Sequence, residues 1–197
     1  AGPMTMMSRT DGNPISLAVG DIVTKVGFPF VTQQPVTSNH IGKKRFYSYD
    51  LVPEIDLDPA TGIMSGVFAS VRDFEFDLFV GDETSRLTSD RLKVSVYPPM
   101  RIVTPLLTRT TQYTAMATPV VSDVAYVVGT RSFVQGNPSA WPDGLTVDPS
   151  TGAISGTPIK SGVFSNLTIV GTDNINGALD VRVSNAFTIE VQKANIV

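Results

Sequence analysis

Asp173, Asn174 and Asn176 fall within one short stretch, and Asp180 follows closely. All four side chains carry the oxygen donors that calcium takes, in a shell of about 6–8 ligands. The same run, Asp173-Asn174-Ile175-Asn176-Gly177, also reads as a hairpin turn, because Asn and Gly accept positive φ. The hairpin is the ordinary reading and calcium the alternative; no metal ligand is assigned beyond these candidates. Asp82-Glu83 holds the matching turn in the first half of the chain and is expected to be exposed.

Other reactive chemistry is sparse. His40, the one histidine, sits in a polar loop, Ser38-Asn39-His40-Ile41-Gly42. There is no cysteine, so disulfides, thiol catalysis and thiolate metal sites are excluded. Transition-metal sites need several His or Cys ligands. A Gly-x-Ser-x-Gly elbow, a P-loop and a Gly-x-Gly-x-x-Gly run are all missing. The carboxylate pairs Glu54/Asp56 and Glu75/Asp77 lie on expected strands and read as solvent faces, whereas a glycosidase pair needs a cleft. No catalytic residue and no cofactor is assigned; calcium is the one cation kept in view.

Contact chemistry is better represented. Lys43-Lys44-Arg45 is the one basic run and reads as a solvated loop, with a phosphate or glycan contact as the other reading. Trp141 precedes Pro142-Asp143-Gly144, where an aromatic serves either as a sugar platform or as packing at the end of a sandwich. Tyr113 and Tyr126 are further aromatic candidates for a carbohydrate face. The net charge of −3 offers no global attraction for a nucleic acid backbone. No stretch approaches the roughly 18 apolar residues of a membrane span. Residues 1–13 lack the apolar core of a signal peptide. The chain is therefore expected to be a mature or excised fragment, or one that never used that route.

The elements that must carry these groups are strands. Phe74, Phe76, Leu78 and Val80 share one parity, Glu75 and Asp77 the other, and Phe79 stands on the outer face. Leu92, Val94 and Val96 alternate likewise, as do Leu167 with Ile169, and Phe187 with Ile189 and Val191. No window sustains a 3.6-residue period with helix caps. Sixteen Gly and fourteen Pro supply frequent turns. An N-terminal arm over 1–14, with Met4, Met6 and Met7, shows no period and is expected to be mobile or docked on a neighbour.

One turn motif occurs twice. Asp58-Pro59-Ala60-Thr61-Gly62-Ile63-Met64-Ser65-Gly66 returns as Asp148-Pro149-Ser150-Thr151-Gly152-Ala153-Ile154-Ser155-Gly156, 90 residues later. That interval matches a β-sandwich domain of about 100 residues. The Asp carboxylate accepts downstream backbone N–H groups, Pro presets φ, and Gly62 and Gly152 sit where positive φ is expected. Ile154 points into the core, and Gly156, like Gly66, permits a close backbone approach. The chain reads as all-β: two tandem antiparallel sandwiches, 15–99 and 100–197, joined at Pro98-Pro99, whose stiffness makes a short rod.

The longer run Trp141-Pro142-Asp143-Gly144-Leu145 through Asp148, Thr151-Gly152 and Ile154-Ser155-Gly156-Thr157-Pro158 closely resembles the signature of Ig-like domains of bacterial surface proteins, relatives of the dystroglycan-type cadherin-like domain. The family's later Thr-Asp turn appears as Thr172-Asp173. The first copy keeps Asp58 to Gly66, but Leu51-Val52-Pro53-Glu54 lacks the Gly-Leu and Val67-Phe68 replaces Thr-Pro, as if remodelled for a contact. The resemblance implies a non-catalytic sandwich used for adhesion, spacing or display on a virion or bacterial envelope, outside the cell. The implied partners are proteins of that assembly, self or a capsid or envelope protein, with glycan as a further candidate. A carbohydrate-binding module and a calcium-dependent adhesin fragment are the alternatives. The linker from Val96 to Thr104 has no Asp, Asn or Glu, which argues against the interdomain calcium that cadherin relatives hold.

Overall fold

The computed structural model describes residues 13–196. The expected arm, Met4, Met6 and Met7 included, lies outside these residues except for Asn13 and Pro14. The chain divides into two compact units, 1–96 and 97–197. The division falls inside the last strand of the first unit, just ahead of the expected break at Pro98-Pro99.

The N-terminal unit contains β1 (Ser16–Ala18), β2 (Ile22–Lys25), β3 (Phe30–Val31), β4 (Val36–Ser38), β5 (Arg45–Tyr47), β6 (Ile55–Leu57), β7 (Met64–Gly66), β8 (Arg72–Gly81) and β9 (Leu87–Tyr97). One sheet has the order β2-β9-β8-β5, a second β3-β7-β6, and β1 pairs β4. The expected alternation sets the packing. Phe76, Leu78 and Val80 of β8 are buried with Leu92, Val94 and Val96 of β9, while Phe74 packs against this core half-covered. On the opposite parity, Arg91 pairs with Glu75 at 2.9 Å and Asp77 at 3.6 Å.

The C-terminal unit contains β10 (Arg101–Val103), β11 (Leu107–Thr111), β12 (Asp123–Ala125), β13 (Thr130–Gly136), β14 (Leu145–Val147), β15 (Ile154–Gly156), β16 (Gly162–Ile175), β17 (Ala178–Val183) and β18 (Phe187–Gln192). Its main sheet runs β11-β18-β16-β13, with β17 also on β16; β10 pairs β12, and β14 pairs β15. Leu167, Ile169, Phe187, Ile189 and Val191 are buried in its core with Trp141 and Ile154. One three-residue 3-10 turn, Pro138–Ala140, accompanies these strands among the described residues.

The sandwich reading stands with one amendment. β11 runs parallel to β18, Leu107 opposite Thr188 and Thr111 opposite Gln192. A parallel pair needs a long connection, here nearly the whole unit. The chain enters by pairing β10 with β12 and then crosses to the main sheet at Pro105, which cannot donate to a ladder. Asn185 bridges the step: its Oδ1 accepts the Thr104 N–H at 2.8 Å and its Nδ2 donates to the Thr104 carbonyl at 3.1 Å.

The departures of the first copy serve its interior. Phe68 is fully buried. Its ring stacks on Phe30 at 5.6 Å and meets Phe74 edge-on at 6.0 Å. Leu51 and Val52 also pack on this core. The expectation that this substitution marks a contact surface is therefore corrected. Where the second copy uses a buried Pro158, the first fills the space with an aromatic layer worth more buried area.

Candidate functional site

The duplicated turn is built alike in both units. Asp58 Oδ1 accepts the N–H groups of Ala60 at 2.8 Å and Thr61 at 3.2 Å. Asp148 Oδ1 accepts those of Ser150 at 2.8 Å and Thr151 at 2.9 Å, and the Ser150 hydroxyl at 2.7 Å. These donors favour the carboxylate. The Ala60 and Thr61 amides lower the Asp58 pKa, and Ser150 and Thr151 lower that of Asp148 to about 2. Gly62 and Gly152 both adopt φ of 76° and return their N–H to the Asp carbonyl at 2.8 Å.

The turn also grips a neighbouring strand. The carbonyl of Pro59 accepts the Phe46 N–H at 2.8 Å, and that of Pro149 accepts the Phe133 N–H at 2.9 Å. A Cβ on Gly62 would lie 2.8 Å from the Phe46 ring, and one on Gly152 would lie 3.1 Å from Phe133. Lys44 Nζ stands 5.9 Å from the Phe46 ring, and the Arg131 guanidinium 5.9 Å from Phe133. Gly66 and Gly156 lie where a Cβ would strike a carbonyl oxygen, Glu54 O at 1.9 Å and Gly144 O at 2.1 Å. The Asp58, Pro59, Gly62, Gly66 set and the Asp148, Pro149, Gly152, Gly156 set thus form a clasp on a buried Phe, and their polar atoms close on the chain itself.

The calcium candidates are drawn into similar work. Asn176 and Gly177 take φ of 52° and 94°, so they make the two-residue turn between β16 and β17. Asn174 Oδ1 accepts the Gly177 N–H at 2.7 Å. Asp173 and Asp180 face each other across the hairpin, and both are fully buried. Asp173 accepts the N–H groups of Val128 and Gly129, each at 2.8 Å. Asp180 accepts the Met100 N–H at 2.7 Å and Arg182 Nε at 2.7 Å. Oxygens of Asp173, Asn174 and Asp180 are therefore already engaged by N–H donors of the chain itself.

Asp82 was expected to be exposed, and this is corrected: its side chain has no exposed surface. It accepts Thr84 Oγ1 at 2.6 Å, Ile41 N–H at 3.0 Å and Arg86 Nη2 at 2.9 Å. The Thr84 hydroxyl leads the causes that hold its pKa well below the usual carboxylate range. Arg86 in turn donates to the Asn39 carbonyl at 2.5 Å. His40 is exposed beside this knot.

The contact candidates divide sharply. Trp141 is 5% exposed, donates Nε1–H to the Gly136 carbonyl at 2.9 Å, and meets Phe187 edge-on at 5.6 Å. It is a packing residue, and its reading as an interaction residue is corrected. Lys43 and Arg45 are exposed, but Lys44 donates to Thr37 Oγ1 at 2.8 Å, so the basic run is not one open patch. Tyr113 and Tyr126 are exposed, with left-handed φ of 62° and 63°. A shallow groove beside β11, lined by Thr108, Thr111, Thr114, Met116 and Val120, has no carboxylate or histidine in its wall.

Phe79, expected on the outer face, is half-covered. It stacks on Tyr47 at 5.3 Å, its partner across β5 and β8, and meets Tyr49 edge-on at 5.3 Å. Tyr47 and Tyr49 are 5.5 Å apart, and Tyr49 is 77% exposed. Burial, with the Tyr49 phenol beside it, raises the Tyr47 pKa. Tyr47 and Tyr49 were missed in sequence; the available signal was their two-residue spacing, on the parity opposite to the buried Phe46.

Two sheeted layers, a switch of the entering strand, and a core Trp at one end define an Ig-like β-sandwich. Residues 93–192 match the family model described as "Putative Ig domain", and the chain belongs to that family. No curated protein sequence matches the chain. Among solved structures it is similar to mouse cadherin-23 EC22-24, at 15% identity and TM-score 0.37, covering 92% of this chain and 64% of that one. It is also similar to human protocadherin-24 EC1-2, at 10% identity and TM-score 0.39, covering 93% and 98%. The titin I-band fragment I67-I69 is similar at 10% identity and TM-score 0.45, covering 92% and 66%. The chain thus spans less than two thirds of the cadherin-23 fragment.

Proposed function

We propose that this chain is a non-enzymatic interaction and spacer protein displayed on a surface outside the cell, a virion or bacterial envelope. In this reading the N-terminal unit makes the anchoring contact, to itself or to a capsid or envelope protein, and the C-terminal unit projects. The observation that carries the reading is the aromatic cluster around Phe79 on the outer face of the N-terminal sheet. Asp58, Asp148 and Asp173 are tied to backbone N–H groups, and Glu54 and Glu75 are held by Arg72 and Arg91. Family membership supports a structural module over a catalyst. The test is sedimentation velocity and co-sedimentation with the parent particle, for a chain lacking residues 1–14 and, separately, for Phe79→Ser. Assembly is expected to fail while circular dichroism stays that of a folded β protein. Assembly that survives both changes but fails on substitutions confined to 105–197 reverses the polarity.

A further inference from the structure

We infer that the aliphatic outer face of β13, β16 and β17 binds the Tyr47-Tyr49-Phe79 cluster of a second copy of this chain. The inference rests on the reading that the N-terminal unit makes the contact, and it names the partner.

Strand register sets this face. Val134, Val170 and Val183 lie in one row across the three strands, and Ser132, Thr172 and Val181 form the next. Val134, Leu179, Val181 and Val183 are each 51–60% exposed. They make an apolar patch on the order of 300 Å², the size at which exposed area marks a contact. None of these positions carries a charge. The duplicated fold supplies its own comparison. Outward positions of β8 and β9 in the N-terminal unit hold Glu75, Asp77, Arg91 and Lys93. The sister sheet is therefore charged where it meets water outside its ring cluster, whereas the β13-β16-β17 face has the composition of a covered surface.

The occupant follows from what such a face can meet. A charged partner would lose hydration there and gain no counter-charge. The ring cluster is the apolar surface that matches. Tyr47 and Phe79 stack with their planes 13° apart, and Tyr49 meets both edge-on. The cluster thus offers ring edges and the 77% exposed Tyr49 rather than one open platform. Ring edges of this kind pack among methyl groups, here in rows about 4.8 Å apart across strands and about 6.6 Å apart along them. The carboxylates of Glu75, Asp77 and Asp50 outweigh Arg91 beside the cluster, so its border is acidic. The aliphatic face brings the hydroxyls of Ser132 and Thr172 to that border and no carboxylate. Set against itself, the aliphatic face would leave the cluster bare; one contact between the unlike faces covers both. The patch is well short of the roughly 800 Å² per partner of a standard interface, so the expected Kd is on the order of 10 µM.

The experiment is sedimentation velocity of the full chain from about 5 to 200 µM, a range that brackets this affinity. The parent chain is expected to self-associate. Tyr49→Ser and Val181→Glu, both exposed changes, are each expected to weaken association at least about tenfold. Val181→Lys removes the same methyls but meets the acidic border with a cation, and is expected to associate more tightly than Val181→Glu. An equimolar mixture of Tyr49→Ser and Val181→Glu keeps one intact face on each chain. It is expected to form mixed complexes with a Kd within about threefold of the parent value, which also shows that both variants are folded. The inference is overturned if the parent stays monomeric throughout, if either single variant associates as the parent does, if Lys and Glu at 181 weaken alike, or if mixing restores nothing. Co-sedimentation with the parent particle separates the two readings. A chain that never self-associates but loses the particle on Tyr49→Ser overturns the inference and leaves the anchoring role standing. A chain that self-associates through both faces, yet holds the particle after Phe79→Ser and after loss of residues 1–14, supports the inference and removes the anchoring role alone.

Discussion

A single carboxylate oxygen organises each turn: Asp148 Oδ1 takes three donors, two of them backbone amides. Its pKa is lowered to about 2, chiefly by the Ser150 hydroxyl and then the Thr151 and Ser150 amides, and Asp58 shifts the same way. The folded pKa lies below the unfolded one, so the stabilisation is complete above about 4. It is lost as pH falls through about 2. Thermal unfolding from pH 5 to 2 should show a falling Tm, and Asp148→Ala should flatten that slope. Asn at the same place, still an acceptor, should keep much of the turn and lose the pH dependence. The adjoining glycines make a second test. An L side chain at the φ of 76° in Gly62 or Gly152 costs about 1–2 kcal/mol from backbone alone. Gly62→Ala should cost the more, since its Cβ meets Phe46 at 2.8 Å rather than Phe133 at 3.1 Å. Chemical denaturation of both variants checks the order.

Strands were legible because alternation is a local property. The parity of Phe76, Leu78 and Val80, and of Phe187, Ile189 and Val191, can be read within one element, and all six are buried. Phe187→Ala should therefore cost about 3–5 kcal/mol in a denaturant titration, and a loss below about 1 kcal/mol would mean a surface site. Asp173 and Asp180 were not legible in the same way. Their donors sit 45 and 80 residues away, at Val128 and Met100, and no local period announces such a pairing. Read locally, the two acids joined Asn174 and Asn176 as a faint cation loop. The fold turns them into ties from the hairpin to distant backbone. Asp173→Ala should strand the Val128 and Gly129 amides and cost about 1–3 kcal/mol. The aromatic face was half legible: Phe79 stood out by breaking its strand's pattern. Its neighbours Tyr47 and Tyr49 needed the β5-β8 register to be seen.

At the scale of the whole chain, two copies of one clasp organise two units, and the second copy carries the clearer family signature. The first copy's departures looked like surface remodelling because sequence reports a lost Pro without reporting what fills its place. Phe68 fills it from inside. The parallel pairing of β11 with β18 was equally silent, since alternation gives a strand's faces but not its direction. Calcium is the question on which residue chemistry and architecture pull apart. Asp173 and Asp180 already accept amide donors at 2.7–2.8 Å, and a cation that turned these carboxylates away from them would leave the buried Met100 N–H, and the part-buried Val128 and Gly129 N–H groups, without their partners. Ordered amides cost nothing to keep and several bonds to give up, so the ion should gain little. The melting temperature of the chain, measured by calorimetry in excess calcium and again in excess EDTA, should agree within about 2 °C. A fall of about 10 °C on chelation would mean strong linkage between ion and fold. Asp173→Asn and Asp180→Asn would then locate it: the ion-dependent part of the stability should vanish in whichever variant has lost a ligand.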